Sequence, residues 1–233
     1  MGVATWRTQG LCDNFVAKDP CANNVDSVFA DSIVVRDRLA CHACGFSSRR
    51  SKQVRSGHMQ LMPIDGNYDS RVSTNWLTVC PYCHAFYRMT DALSSGKYRV
   101  ISAPWISQSE LSNIIRPLLI ILGDVDHLYY AEAMQIYKTL LSAESAVAAI
   151  FPHIPATDPT PADNLRRYFN LLDSVLTDDQ YDERAIFASS LRLIPERTQF
   201  IEESRYWDAA IYNQYPLSKW ERLISWKQDQ KLA

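Results

Sequence analysis

The sequence lacks the features that mark membrane, fibrous and nucleic-acid-binding proteins. No apolar run, such as Pro117 to Leu122, approaches the ~20 residues that a membrane-spanning helix needs. Only seven glycines and eleven prolines are present, and no repeat recurs at a fixed period, which excludes a low-complexity or fibrous chain. Lysine and arginine number 24 against 26 aspartates and glutamates, whereas nucleic-acid modules are usually strongly basic. The composition that remains is that of a globular protein with one sizeable core or two small ones.

The N-terminus also lacks a targeting signal. Residues Met1 to Arg7 contain no basic region followed by an apolar stretch, as a secretory signal would. Trp6 stands where a myristoylation site carries serine or threonine. We therefore expect a cytoplasmic protein that reaches a membrane only through a partner.

Four of the six cysteines form two Cys-x-x-Cys pairs, Cys41 with Cys44 and Cys80 with Cys83. In a reducing cytosol such pairs favour metal ligation over disulfide bonds. Each pair can direct two sulfurs at a common point ~2.3 Å away, and Zn²⁺ accepts four thiolates in a closed tetrahedral site. The pattern predicts one structural zinc ion with no open position for catalysis. Because such sites bind with about 10 to 16 kcal/mol, we expect this half of the chain not to fold without metal.

Other interpretations of the cysteines remain open. A thioredoxin-like redox pair would occur once, near a βαβ pattern, so a second pair would have no role. Ordinary buried cysteines are a further alternative. Cys12 and Cys21 lie in a polar, irregular leader without close partners, and we predict that they are unligated thiols. A metal or redox sensor that uses these two thiols is a third functional possibility.

The first hundred residues are predicted to fold around the metal. A helix is predicted at 26–36, where apolar residues recur at helical spacing. A short strand at 59–64 meets a turn at 65–67, and a helix at 80–93 begins at the second cysteine pair. A strand, a turn and a helix around one metal ion predict a ββα unit.

Beyond Gly96 the chain is predicted to be helical. Ser107 and Glu110 form a capping-box pattern that begins one helix, inside which Pro117 should bend or tighten the backbone. Further helices are predicted at 128–149, 162–176, 181–193, 201–212 and 218–228. The expected fold class is α+β, mostly α, with a zinc-knuckle core followed by a helical region. The expected domains are an irregular leader (1–24), a zinc-binding unit (25–100), a helical region (101–151), a proline-rich linker or loop (152–161) and a C-terminal helical region (162–233).

Aromatic residues are dense near the C-terminus, with three tryptophans at Trp207, Trp220 and Trp226. Packing in a core is one explanation for them. The other is an exposed anchor surface, because tryptophan and tyrosine dominate the energetics of interfaces. The three tryptophans are therefore candidate partner-binding residues.

The two cysteine pairs lie in segments that resemble the zinc-bearing frame of HNH endonucleases, residues 36–45 and 75–84. In an active HNH enzyme a histidine pair ends the first strand. One residue acts as the general base on water, and the rest of the motif holds a divalent metal on the phosphate. The resemblance implies an HNH-like ββα core with a structural zinc ion.

The residues that catalysis needs are missing from this frame. The stretch that corresponds to the histidine pair contains Met62 and Pro63, which neither accept a proton nor bind a hard cation. Asn75 and His84 match the later positions of the motif, but without the base they have no reaction to support. His58 lies too early in the strand to replace it. We therefore expect no catalytic residues and no enzymatic activity.

Further motifs spread over residues 33–207 occur together in a known family. They are Arg36-Asp37-Arg38, Cys41-x-x-Cys44-Gly45-Phe46, Asp65-Gly66-Asn67-Tyr68, Asn75-Trp76-Leu77, Ser107-Gln108-Ser109-Glu110-Leu111, Tyr137-Lys138 and Leu193-Ile194-Pro195-x-Arg197-x-x-Phe200. On these motifs the chain resembles the IcmJ/DotN family, the HNH-like, zinc-bearing component of Dot/Icm type IVB secretion coupling complexes.

This resemblance implies a function and a set of partners. It implies a non-enzymatic adaptor that docks on the C-terminal extension of a DotL-like coupling ATPase and helps to recruit effectors. Membrane-anchored and chaperone subunits would lie beside it, at the cytoplasmic face of the inner membrane. The leader, the proline-rich stretch and the tail after about Tyr212 do not match the family.

The alternative function is a metal-dependent HNH nuclease or a nucleic-acid-binding protein. It is favoured by the basic run from Ser48 to Arg55, which could neutralise phosphates. However, four thiolates around Zn²⁺ carry a formal charge of about −2, and we expect arginines nearby to offset that charge. We therefore favour the adaptor and expect no nucleic acid as a partner.

Overall fold

The computed structural model describes residues 27–150 and 189–214, which combine helices with two small antiparallel sheets. The predicted α+β class, mostly helical, is confirmed. No helix among these residues is both long enough and apolar enough to cross a bilayer. In chain order the elements are α1 (Ser27–Arg36), β1 (Gln60–Pro63), β2 (Trp76–Val79), α2 (Pro81–Tyr87), α3 (Met89–Ser94), β3 (Tyr98–Ser102), α4 (Gln108–Leu122), α5 (Tyr130–Ser142), α6 (Ser145–Ile150), β4 (Leu191–Pro195) and α7 (Ile201–Ala210).

The first sheet is the antiparallel pair β1 and β2, with Gln60 opposite Val79 and Pro63 opposite Trp76. It confirms the strand predicted at 59–64. Gly66 has a φ of 77° in the turn that follows β1, a conformation that glycine adopts without steric cost. β2 leads directly into α2, so the second cysteine pair lies at this junction.

The second sheet was not predicted, because everything beyond Gly96 was expected to be helical. β3 pairs antiparallel with β4, and residues 191–193, predicted as the end of a helix, belong to β4. All five residues of β4 are buried, so the strand shows no alternation of apolar and polar residues. A short run that is buried on both faces cannot be told from a helical segment by periodicity alone.

Two predicted helices are each interrupted. The helix expected at 80–93 is divided into α2 and α3 at Arg88, whose φ of −124° and ψ of 52° are not helical. The helix expected at 128–149 is divided into α5 and α6. The helix predicted at 201–212 is confirmed as α7. The leader, the proline-rich stretch and the helices predicted at 162–176 and 218–228 lie outside the described residues.

Helix α4 begins as its sequence predicts. The Ser107 hydroxyl accepts a hydrogen bond from the Glu110 amide at 3.2 Å, and the Glu110 carboxylate accepts one from the Ser107 amide at 2.9 Å. The helix continues through Pro117 to Leu122, although proline removes one backbone hydrogen bond. α4 packs against α2, α5, β4 and α7, which makes it the central helix of the described fold.

Most of the buried hydrophobic side chains among the described residues belong to one core. It extends from Cys41 and Val79 in the N-terminal part to Ile115 in α4, Leu193 in β4 and Trp207 in α7. Within these residues, no break in the core occurs at the boundary predicted near residue 100. The cysteine centre is therefore part of the same packed unit as the helices that follow it.

Candidate metal centre

The first cysteine pair lies in a tight turn between α1 and β1. The Cys41 amide donates to the Phe46 carbonyl at 2.8 Å, and the Gly45 amide donates to the Cys41 carbonyl at 2.9 Å. Gly45 has a φ of 73°, in the left-handed region that favours glycine. These bonds fold the backbone back on itself and place the Cys41 and Cys44 side chains on the same side of the turn.

The second cysteine pair lies at the start of α2. Cys80 is the extended residue before the helix, Pro81 occupies the first turn, and Cys83 follows in the helix. Proline suits this position because the first amides of a helix have no partner within it. The His42 amide donates to the Thr78 carbonyl at 2.9 Å, so a backbone hydrogen bond joins the first pair to β2 and hence to the second pair.

The structure brings together all four predicted ligands. Their sulfur atoms lie within 4.8 Å of one another, and the sulfurs of Cys44 and Cys80 are 3.8 Å apart. Four sulfurs at ~2.3 Å from a central ion are ~3.8 Å apart in a regular tetrahedron. Cys41, Cys80 and Cys83 are buried and Cys44 is half-buried. This cluster can hold one metal ion.

The thiols differ in how readily they ionise. Hydrogen bonds with Cys41, Cys80 and Cys83, together with the nearby Arg116 charge, hold the pKa of Cys44 far below its ordinary value. Burial raises the pKa of Cys80 well above its ordinary value. Because four thiolates this close repel one another, a cation is needed at the centre before all four sulfurs can be thiolates.

Arg116 in α4 was not predicted as part of the site. Its side chain is 1% exposed, and its Nη2 atom lies 3.3 Å from the sulfur of Cys80 and 3.7 Å from that of Cys44. Burial lowers the pKa of Arg116, but the charges of Cys80 and Cys44 outweigh that effect and raise it overall. The guanidinium is therefore a permanent positive charge beside the sulfurs.

One face of α4 supports the two cysteine pairs through hydrogen bonds. Ser109 donates to the Ala43 carbonyl, and Asn113 donates to the Cys44 carbonyl, both at 2.9 Å. The sulfur of Cys83 lies 3.7 Å from the Ser112 hydroxyl. These polar residues recur at helical spacing with Arg116, so the sequence places them on one face of α4, but it does not show that this face meets the cysteines.

Two arginines of the basic run at 48–55 form ion pairs away from the sulfurs. Arg50 and Arg55 pair instead with Asp31 of α1, at 3.1 and 3.7 Å. The expectation that arginines of this run offset the charge of the centre is wrong for these two residues. The sequence places them near the first cysteine pair, but the chain directs their side chains toward α1.

The residues that match the HNH motif lie at the end of β1, just before β2 and in α2. Met62 and Pro63 form the end of β1, where Pro63 is buried. The Asn75 amide donates to the Asp65 carboxylate at 2.7 Å and so braces the turn after β1. His84 is half-buried in α2.

His58 lies before β1, at a distance from the strand end along the chain. Its ring contacts the rings of Tyr206 and Trp207 edge-on, with centroids 5.0 and 6.3 Å away. The residue has a φ of 60°, which is uncommon for a residue other than glycine. Its side chain therefore packs beside α7.

Among the candidate partner-binding residues, Trp207 belongs to the core. It is 0% exposed, its indole N–H donates to the Gly57 carbonyl at 3.1 Å, and its ring contacts the rings of Phe46 and Tyr82. The burial of Trp207 therefore favours core packing, and Trp207 is not an exposed anchor. Trp220, Trp226, Cys12 and Cys21 lie outside the described residues.

Comparisons with known proteins do not extend this description: no family model and no curated protein matches the chain.

Proposed function

We propose that the protein is a non-catalytic adaptor stabilised by one structural zinc ion held by Cys41, Cys44, Cys80 and Cys83. The four-sulfur cluster is the single observation that carries this proposal. Two Cys-x-x-Cys pairs with tetrahedral spacing are the donor set of structural zinc sites, and four protein ligands leave no position for a substrate. A zinc ion there would cross-link the two cysteine pairs and would supply no redox chemistry.

The surroundings of the cluster support a structural role. α4 covers it, with Ser112 and Arg116 buried against the sulfurs. At the strand end where an HNH enzyme carries its base, the chain has Met62 and buried Pro63. Asn75 is engaged with Asp65. An HNH-like ββα frame that holds a structural metal ion but has no general base is suited to a structural role.

The partner class comes from the resemblance to the IcmJ/DotN family. On that basis the protein binds the C-terminal extension of a DotL-like coupling ATPase of a type IVB secretion system, beside membrane-anchored and chaperone subunits. It would then act at the cytoplasmic face of the inner membrane. A metal-braced receptor is suited to this task, because a rigid surface lowers the cost of ordering a flexible segment.

The described surface offers a candidate anchor in place of Trp207. Trp105, just before α4, is 69% exposed, and an exposed tryptophan is the residue type most enriched at interface hot spots. Trp220 and Trp226 remain candidates as well.

The experiment is titration calorimetry of the zinc-loaded protein against the C-terminal extension of the ATPase. We expect Trp105→Ala to weaken binding by roughly thirtyfold, corresponding to about 2 kcal/mol, with an unchanged circular dichroism spectrum. Trp207→Ala is the matched variant, and we expect it to destabilise the fold by about 3 to 5 kcal/mol because it empties a core position. An unmodified protein that does not bind the extension would refute the adaptor proposal for this partner.

A second prediction concerns the nuclease alternative. Supercoiled plasmid incubated with the zinc-loaded protein and Mg²⁺, Mn²⁺ or Ni²⁺ should remain intact, because Met62 and Pro63 cannot act as a base. Metal-dependent nicking that is lost in His84→Ala or Asn75→Ala would contradict this prediction. The variants serve as the control, because nicking by a contaminating nuclease would persist in them.

A further inference from the structure

The interior of the fold contains a guanidinium without a carboxylate partner. Among the described residues, no carboxylate lies within ion-pair distance of Arg116, although the side chain is 1% exposed. Among the described residues, its polar contacts are the sulfurs of Cys80 and Cys44, the amide oxygen of Asn113 at 3.1 Å and the hydroxyl of Tyr212. The Nε atom has no hydrogen-bond partner among these residues. The negative groups that face this cation are therefore sulfurs.

Aromatic rings enclose the rest of the guanidinium. Its central carbon lies 3.7 Å from the centre of the Phe46 ring and 5.5 Å from those of Tyr82 and Trp207. Such contacts are favourable when desolvated, but an unpaired buried charge costs considerably more than they contribute. The rings alone do not account for a charge in this position. The negative sulfurs therefore stabilise the buried charge of Arg116, and the arginine in turn stabilises the negative sulfurs.

We propose that Arg116 is the counter-ion of the cysteine centre, a positioning residue that tightens metal binding and lowers the reactivity of the Cys44 and Cys80 sulfurs. The inference rests on the proposed zinc site. Four thiolates around Zn²⁺ carry about −2 in charge, and one adjacent guanidinium offsets half of it. N–H···S hydrogen bonds draw electron density from the two sulfurs that they reach, which makes those sulfurs weaker nucleophiles.

The chain offers a matched control in Arg192, a second buried arginine. It is 9% exposed and lies in β4, where it donates to the carbonyls of Ile106 and Ser189 at 2.5 and 2.8 Å. Replacing it also removes a buried cation from the core. Among the described residues it makes no contact with the four clustered cysteines, so its variants report the loss of a buried arginine and its hydrogen bonds away from the centre.

The experiment compares Arg116→Met and Arg192→Met in the zinc-loaded full chain. The first readout is zinc affinity, measured by competition with a chromophoric chelator. The second is the alkylation rate of Cys44, the half-buried sulfur, with iodoacetamide and mass spectrometry. For Arg116→Met we expect affinity to fall by about 10- to 100-fold, as for other residues that support metal ligands, and Cys44 alkylation to accelerate. For Arg192→Met we expect lower thermal stability, with no change in zinc affinity or in Cys44 alkylation beyond what that lower stability causes.

The lysine variants keep the test decisive if methionine at 116 prevents folding. Lysine retains a charge but presents a single donor point, so Arg116→Lys should accelerate Cys44 alkylation relative to the unmodified protein and relative to Arg192→Lys. Equal rates and affinities in the 116 and 192 variants would overturn the proposal while leaving the zinc site intact. An unmodified protein that contains no zinc would overturn both.

Discussion

At the scale of single residues, an ion pair next to the first cysteine pair joins α1 to the first sheet. Arg36 donates to both oxygens of Asp37 at 2.7 and 2.9 Å, and the same carboxylate accepts the Thr78 amide of β2 at 3.0 Å. Burial raises the pKa of Asp37, but the hydrogen bonds from Arg36 and Thr78 together lower it below its ordinary value. Arg36 also donates to the carbonyl of Trp76 at 2.6 Å. The Arg-Asp motif therefore fixes the turn that carries Cys41.

We predict that Asp37→Asn lowers the free energy of unfolding of the zinc-loaded protein by about 1.5 to 3 kcal/mol, since it removes charge-assisted hydrogen bonds. Asp31→Asn is the control, because the Asp31 side chain is more exposed than that of Asp37 and its pairs with Arg50 and Arg55 should contribute at most about 1 kcal/mol. Chemical denaturation at neutral pH measures both. Equal losses in the two variants would show that the Asp37 pair is no stronger than a surface ion pair.

The cysteine ligands could be predicted from the sequence and Arg116 could not, for a physical reason. The spacing within each Cys-x-x-Cys pair is local and sets the direction of both sulfurs. The contact of Arg116 with Cys44 and Cys80 depends on how α4 packs against α2, and no local pattern encodes that packing.

At the scale of elements, the start of α4 is encoded by a local sequence pattern, whereas the second sheet depends on contacts between distant residues. The capping box of α4 is local, and it forms as predicted. β3 and β4 are distant in sequence and each is short, so their pairing is determined by burial in a shared core. The Gln108 side chain extends this pairing: it accepts from the Leu193 amide at 2.8 Å and donates to the Leu193 carbonyl at 3.0 Å. α4 thereby satisfies backbone groups of β4.

We predict that Gln108→Ala destabilises the protein by about 1 to 3 kcal/mol, because it leaves a buried backbone amide and carbonyl without partners. Gln135→Ala, on the exposed face of α5, should change stability by less than about 0.5 kcal/mol. Thermal and chemical denaturation provide the comparison. A Gln108 variant as stable as the Gln135 variant would mean that water or a shift of α4 replaces both hydrogen bonds.

At the scale of the whole molecule, the single core changes what metal removal should do. From the sequence alone, the N-terminal half is expected not to fold without metal. In the structure the centre packs against α4, and α4 packs against β4 and α7. Tyr82, between the two cysteines of the second pair, contacts the rings of Phe200 and Trp207. Loss of the centre therefore removes support from residues far along the chain.

We predict that the purified protein contains about one zinc ion per chain, and that a chelator exposes the amides of β4 and α7 to hydrogen exchange together with those of residues 41–83. The binding free energy of such sites, about 10 to 16 kcal/mol, equals or exceeds the net stability of most domains, so one cooperative transition is expected. Elemental analysis gives the metal content, and hydrogen exchange with mass spectrometry before and after chelation gives protection by segment. Exchange confined to the two cysteine pairs, with β4 and α7 still protected, would show that the helical part folds independently of the metal.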